Sequence, residues 1–303
     1  MKRSDFLMIK KLISIIVLML LLAGCEGVST MKQYDGKPEA NCALESDFET
    51  FSEHIILLNL TDNEVIYCKS ENQRTYPASL TKIMTVLVAI ENMTEDTMVT
   101  IDDYTNLYQE GASLAGFLPN DQVSSIDLLY GTMLPSGAEA ALSLAQNISG
   151  SEKEFVKLMN EKAQELGMED THFENVTGLH NRNHYTTVHD LSILLKEALK
   201  NPTFKQIFTA ERYSTKGSKR DVAGMTFTSR LFSKLDSPYF EGGKILGGKT
   251  GYTPEAGLCL ASVATNGEKE YILITTNAEG GPYTEQFNIL DAINLYERFL
   301  NKE

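Results

Sequence analysis

One stretch constrains this chain more than any other. Pro77-Ala78-Ser79-Leu80-Thr81-Lys82 runs directly into Ile83-Met84-Thr85-Val86-Leu87-Val88-Ala89-Ile90. So apolar a run, of helical length, must lie inside a core. Pro77 favours an extended approach and ends whatever precedes it. Residues three apart share a helical face, so Ser79 and Lys82 can touch. A serine hydroxyl is a weak nucleophile without a neighbouring base. A lysine can be that base if burial or a second cation lowers its pKa. The same spacing recurs at Ser29 and Lys32, which reads as linker, so spacing alone does not single out Ser79. Its place at the head of a buried helix does.

Such a helix needs a core around it. The chain has 303 residues, 42% hydrophobic and 22% charged, enough for one large or two small domains. The formal net charge of −14 argues against nucleic acid as a partner. The acidity is dispersed, which reads as solubility. The first residues differ. Lys2, Arg3, Lys10 and Lys11 precede or open Leu12–Leu22, which is apolar apart from Ser14. That run is short for a bilayer span and suits a signal-peptide core. It ends in Leu22-Ala23-Gly24-Cys25, which resembles a bacterial lipobox. The resemblance implies a signal peptide over 1–24, a lipid on Cys25 and a tether over 25–45. It also implies a location on the extracytoplasmic face of the cell membrane. The remaining cysteines are Cys42, Cys68 and Cys259. A Cys42–Cys68 bridge is open, and no spacing suits a metal site.

Two strand-like runs, His54–Leu60 and Glu64–Ser70, flank the turn Thr61-Asp62-Asn63 and predict a hairpin. After the Ser79 helix, Ser124-Ser125-Ile126-Asp127 reads as a helix start. Ser136–Ile148 is alanine- and leucine-rich, hence helical. Ser151 with Glu154 forms a capping-box pattern that opens a helix to about Leu166, with Gly167 as its stop. Thr187–Leu199 is a further amphipathic helix. Lys244–Tyr252, Gly257–Thr265 and Glu270–Thr276 read as three strands, with Thr265-Asn266-Gly267 a hairpin signal. Tyr283–Leu300 closes the chain as a helix. Strands at both ends thus enclose a helical middle. The economical solution is one antiparallel sheet flanked by helices, an α+β arrangement with an inserted helical lobe over about 79–240.

Two later stretches join the first. Met133-Leu134-Pro135-Ser136-Gly137-Ala138-Glu139-Ala140 puts a serine at a helix start, and Gly247-Gly248-Lys249-Thr250-Gly251-Tyr252 puts Lys-Thr-Gly on a strand. A strand edge ending in glycine admits close approach of a ligand backbone. These three motifs, in this order, resemble the serine D-alanyl-D-alanine carboxypeptidases, the low-molecular-mass penicillin-binding proteins. The likeness extends to Leu118-Pro119-Asn120-Asp121-Gln122-Val123, to Gly178-Leu179-His180 and to His184-Tyr185-Thr186-Thr187. It covers roughly Phe48 to Leu300.

The resemblance implies a DD-peptidase/β-lactamase-like fold over 46–303 and no cofactor. The expected partners are peptidoglycan stem peptides ending in D-Ala-D-Ala, with β-lactams as covalent inhibitors. It makes Ser79 the nucleophile, Lys82 its base and Ser136 a proton relay. Lys249 supplies positive potential that keeps Lys82 partly neutral, and Thr250 and Gly251 line the carboxylate side. The N–H groups of Ser79 and Tyr252 form an oxyanion hole.

One position departs from the family. Its middle motif is Ser-x-Asn, and the third residue here is Ala138. The neighbouring Glu139 is expected to turn inward, as a substrate-side residue that pairs with Lys82 or Lys249. Other readings are weaker. A class A β-lactamase needs a Glu-x-x-Leu-Asn segment between its second and third motifs, and 137–248 holds none. A penicillin-sensing module would share the fold without turnover. A zinc peptidase could use His180 and His184, yet no His-Glu-x-x-His is present.

Overall fold

The computed structural model describes residues 48–216 and 224–300. The signal segment, the tether, Cys25 and Cys42 lie outside them. Strand β1, His54–Asn59, is buried along its whole length. It pairs antiparallel with β2, Glu64–Lys69, on one side. On the other it pairs with β10, Glu270–Ala278, near the end of the chain. Three further strands complete the sheet: β9, Gly257–Thr265; β8, Gly243–Thr253; and β7, Tyr239–Phe240. The order is β2-β1-β10-β9-β8-β7, antiparallel throughout. Two small ladders lie apart from it. One pairs β3, Met98–Thr100, with β4, Gln122–Ser124, and the other pairs β5, Arg212–Ser214, with β6, Thr226–Thr228.

The sheet is apolar on both faces because its strands alternate two sets of apolar side chains. Ile55, Leu57, Leu260, Leu273 and Tyr271 pack with Ala292, Leu295 and Tyr296 of the last helix. Ile56, Leu58, Ala261, Val263, Ile272 and Ile274 face the helical side of the molecule. Each fully buried leucine or isoleucine there stabilises by about 1.5–3 kcal/mol. Ser262, at a buried position on the first face, is hydrogen-bonded to the Tyr296 hydroxyl at 2.9 Å.

The helices are α1, Thr81–Asn92; α2, Thr105–Gln109; α3, Ser125–Met133; α4, Ala138–Ser149; α5, Glu152–Glu165; α6, Val188–Ala198; α7, Pro202–Phe208; and α8, Phe287–Leu300. Thr81 through Ala89 of α1 are all buried, so this helix forms the centre of the helical side. Three caps are at starts the sequence suggests, and Asn201 caps a helix it does not mark. Ser124, Ser151, Thr187 and Asn201 each accept a backbone N–H three residues on. Each such cap stabilises by about 1 kcal/mol. Gly167, with φ 77°, follows α5 where a stop is expected.

Two expected starts move. Helix α4 begins at Ala138, not Ser136. The Gly137 N–H turns back to the Gly131 carbonyl and leaves Ser136 at φ 68°, outside the helix. The last helix begins at Phe287 rather than Tyr283, because the Thr284 hydroxyl accepts the Gly281 N–H and closes a separate turn. Cys68 is disulfide-bonded, with its partner outside the described residues. Cys259 is a free, buried thiol.

Candidate active site

Ser79 lies in a single 3-10 turn, Ala78–Leu80, that leads into α1. The turn starts with a left-handed alanine, Ala78 at φ 46°. A non-glycine residue held there costs roughly 1–3 kcal/mol and needs surroundings that over-determine it. Two glycines supply them. A Cβ on Gly178 would fall 1.8 Å from the Ala78 carbonyl oxygen, and one on Gly251 would fall 3.1 Å from the Ser79 nitrogen. The Lys-Thr-Gly strand β8 therefore runs directly past the Ser79 turn, which places Gly251 and its neighbour Tyr252 beside that serine.

Lys82 follows one turn later and is buried. Its Nζ donates to Ser79 Oγ at 3.3 Å and to the Thr177 carbonyl at 2.6 Å. Burial pulls its pKa down to about 7, with the charge of Arg230 helping and that of Glu139 opposing. A lysine so shifted has free base available at neutral pH, as a general base requires. Desolvation is the main cause and Arg230 the leading cation. Lys82 and Lys249 also repel one another, which lowers the Lys249 pKa.

Ser136 and Lys249 form the second pair. Lys249 Nζ donates to Ser136 Oγ at 2.9 Å and to the Thr250 carbonyl at 2.8 Å. Lys249 is buried and its pKa is lowered well below the ordinary value, first by desolvation and then by Lys82 and Arg230. Ser136 is buried as well, in its left-handed turn.

Glu139 is where the sequence reading has to be revised. It does turn inward and is buried, but among the described residues it pairs with neither lysine. Its Oε1 accepts three backbone N–H groups, from Ala115 at 2.7 Å, Gly116 at 2.7 Å and Phe117 at 3.3 Å. Its other oxygen has no hydrogen-bond partner. Burial raises its pKa, and the three N–H bonds oppose that. Three converging backbone donors hold this carboxylate away from a lysine whose own charge is suppressed. Glu139 therefore holds the 115–117 segment against the Ser136 turn and is not a substrate contact. Just before that segment, the Ser113 carbonyl accepts the Ala138 N–H.

Two groups escape the sequence reading, and a third is named there without its place in the site. The first is Asn175, whose Oδ1 accepts the Thr177 and Gly178 N–H groups and so aims the Thr177 carbonyl at Lys82. Asn-x-Thr-Gly is Asx-turn chemistry and is visible in the sequence. The second is Arg230, an exposed residue with no ion pair among the described residues, whose charge depresses Lys82, Lys249 and Lys234 alike. Nothing in its neighbourhood in the sequence marks it. The third is His184, buried behind the Ser79 turn, whereas His180 stands edge-on to Tyr76 and 3.8 Å from the Glu255 carboxylate. The two histidines thus serve different places. Among the described residues no three His, Cys, Asp or Glu side chains group as metal ligands.

This pairing of two serines with two buried lysines beside a Lys-Thr-Gly strand meets a family model. Residues 41–280 match the peptidase S11 family, D-alanyl-D-alanine carboxypeptidase. The chain belongs to that family. It is 33% identical over 274 residues to a Bacillus subtilis D-alanyl-D-alanine carboxypeptidase, covering 89% of this chain and 66% of that protein. It is 35% identical to a D-alanyl-D-alanine carboxypeptidase of Streptomyces sp. strain K15, covering 71% of this chain and 77% of the relative. The crystal structure of the Streptomyces K15 DD-transpeptidase superposes with a TM-score of 0.73 at 31% identity, over 83% of this chain and 98% of that one. The S11 chain described here therefore shares the α+β penicillin-binding fold of that neighbour.

Proposed function

We propose that this S11 protein is a serine D-alanyl-D-alanine carboxypeptidase that removes the terminal D-alanine from peptidoglycan stem peptides. The observation that carries the reading is Lys82, buried, near neutral and within hydrogen-bond reach of Ser79. Free-base Lys82 takes the Ser79 hydroxyl proton as Oγ attacks the carbonyl of the penultimate D-alanine. The oxyanion meets N–H groups at the Ser79 turn and β8. The C–N bond then breaks, with Ser136, held by Lys249, passing a proton to the leaving D-alanine nitrogen. Water hydrolyses the ester and restores Ser79. Lys249, Thr250 and Arg230 receive the substrate's terminal carboxylate, which is why cations gather here without acidic partners.

Two measurements test this. Release of D-alanine from an acyl-D-Ala-D-Ala peptide, and a penicillin adduct mapped to the Ser79 peptide, are expected together. Both vanish in Ser79→Ala. An adduct on another serine overturns the assignment, and an adduct without peptide turnover favours a sensing module.

The anchor belongs to the same proposal. Leu22-Ala23-Gly24-Cys25 supports lipidation of Cys25 after removal of 1–24 and display outside the cytoplasm. The Cys68 disulfide fits an oxidising compartment. Cys25→Ser is expected to abolish incorporation of labelled palmitate. Equal labelling of wild type and variant rules the lipoprotein out.

A further inference from the structure

His184 is buried, and both its ring nitrogens are engaged. Nδ1 lies 3.2 Å from the backbone N–H of Glu174, which can only donate. The hydrogen-bond pattern therefore assigns the ring proton to Nε2. Nε2–H in turn meets Thr81 Oγ1 at 2.8 Å. With that oxygen already accepting, the Thr81 hydroxyl hydrogen goes to the Ala78 carbonyl, also at 2.8 Å. A directed chain thus runs from Glu174 through His184 and Thr81 to the carbonyl just before Ser79.

The end of that chain is the strained residue of the site. Ala78 carries φ 46°, and Gly178 presses on the same carbonyl from another side. Releasing the carbonyl would let Ala78 relax and carry Ser79 with it. The ring can hold its role without titrating. Burial pulls the His184 pKa to about 3, and His172, His180 and Lys82 act in the same direction. None of the proton transfers proposed above uses a histidine.

We propose that His184 is a positioning residue for the Ser79 nucleophile, acting through the Thr81 hydroxyl on the Ala78 carbonyl. The inference rests on reading Ser79 as the nucleophile. Mapping the penicillin adduct in the wild type separates failure of that reading from failure of this one.

Two side chains divide the histidine's functions. Glutamine places an amide N–H near the position of Nε2 and can donate to Thr81. Asparagine places a carbonyl near Nδ1, so it keeps the Glu174 bond but cannot reach Thr81. Thr81→Ser and Thr81→Val form a second pair, with and without the hydroxyl at nearly constant volume. The measurements are the covalent acylation rate constant with penicillin, the affinity of the complex that precedes it, and the melting temperature. His184→Gln and Thr81→Ser are expected to acylate within about threefold of wild type. His184→Asn and Thr81→Val are expected to lose roughly ten- to a hundredfold in the covalent step, with the preceding affinity unchanged. Wild-type acylation by Thr81→Val overturns the proposal. So do acylation rates that follow melting temperature across all four variants, with Gln as slow as Asn.

Discussion

Lys82 Nζ donates to the Thr177 carbonyl oxygen at 2.6 Å, the shorter of its two hydrogen bonds. That carbonyl supplies the lysine with an acceptor although residue 138 is an alanine. A backbone carbonyl holds the amine without adding a negative charge. A carboxylate in the same place would raise the lysine pKa and take away the free base.

The first prediction follows from that charge balance. Acylation by penicillin should rise with pH through about 7, where Lys82 loses its proton. Arg230 lowers this pKa, so Arg230→Ala should move the midpoint toward alkaline pH. It should also raise KM for a carboxylate-terminated peptide. A pH–rate profile of wild type and variant checks both, and an acid shift would contradict the assignment of Arg230.

Lys82 should also weaken the fold it serves. Its folded pKa, about 7, lies below the ordinary 10.5. The unfolded chain therefore binds more protons between those values, and stability should increase as pH rises from about 7 to 10.5. Below about 7 the full cost is present, on the order of a few kcal/mol. Lys82→Met should accordingly be inactive yet more stable at pH 7, with the advantage shrinking at pH 10. Urea unfolding at the two pH values measures it.

Glu139 leaves three buried donors behind when removed. Glu139→Ala should lower stability by roughly 2–4 kcal/mol, since each unsatisfied donor costs about 1–3 kcal/mol and the segment can partly relax. Glu139→Gln keeps one carbonyl oxygen for those donors and should recover most of the loss. In both variants the acylation midpoint should shift to lower pH, because a charge that raises the Lys82 pKa is gone. An unchanged midpoint would show that Glu139 is not felt at Lys82.

Gly178→Ala tests the packing around the nucleophile. The added Cβ meets backbone at 1.8 Å, and φ at 178 is 82°. Acylation should fall at least tenfold, in line with the cost of misplacing a reacting group. Gly150→Ala, at a similar φ of 76° but with open space around it, serves as control and should acylate normally.

The chain's own order of residues determined most of the frame. The short, largely apolar runs in Gly257–Thr265 and Glu270–Ala278, and the longer apolar run after Lys82, are local signals. They determine which elements form and which sides are buried. Ser79, Ser136 and Lys249 stand out for the same reason: each lies in a short motif at the start of a helix or on a strand. Tertiary structure alone decided what each charged group does. Glu139 faces three N–H groups and not a lysine because the 115–117 segment folds over the start of α4, a contact across more than twenty residues. Thr177, Arg230 and His184 join the site from loops and ladders far along the chain. Their roles arise from a carbonyl direction, an unpaired charge and a buried tautomer. Burial sets the first and third, and the second acts through its nearness to the buried lysines; all depend on which distant segments pack together, which no local pattern of residues contains.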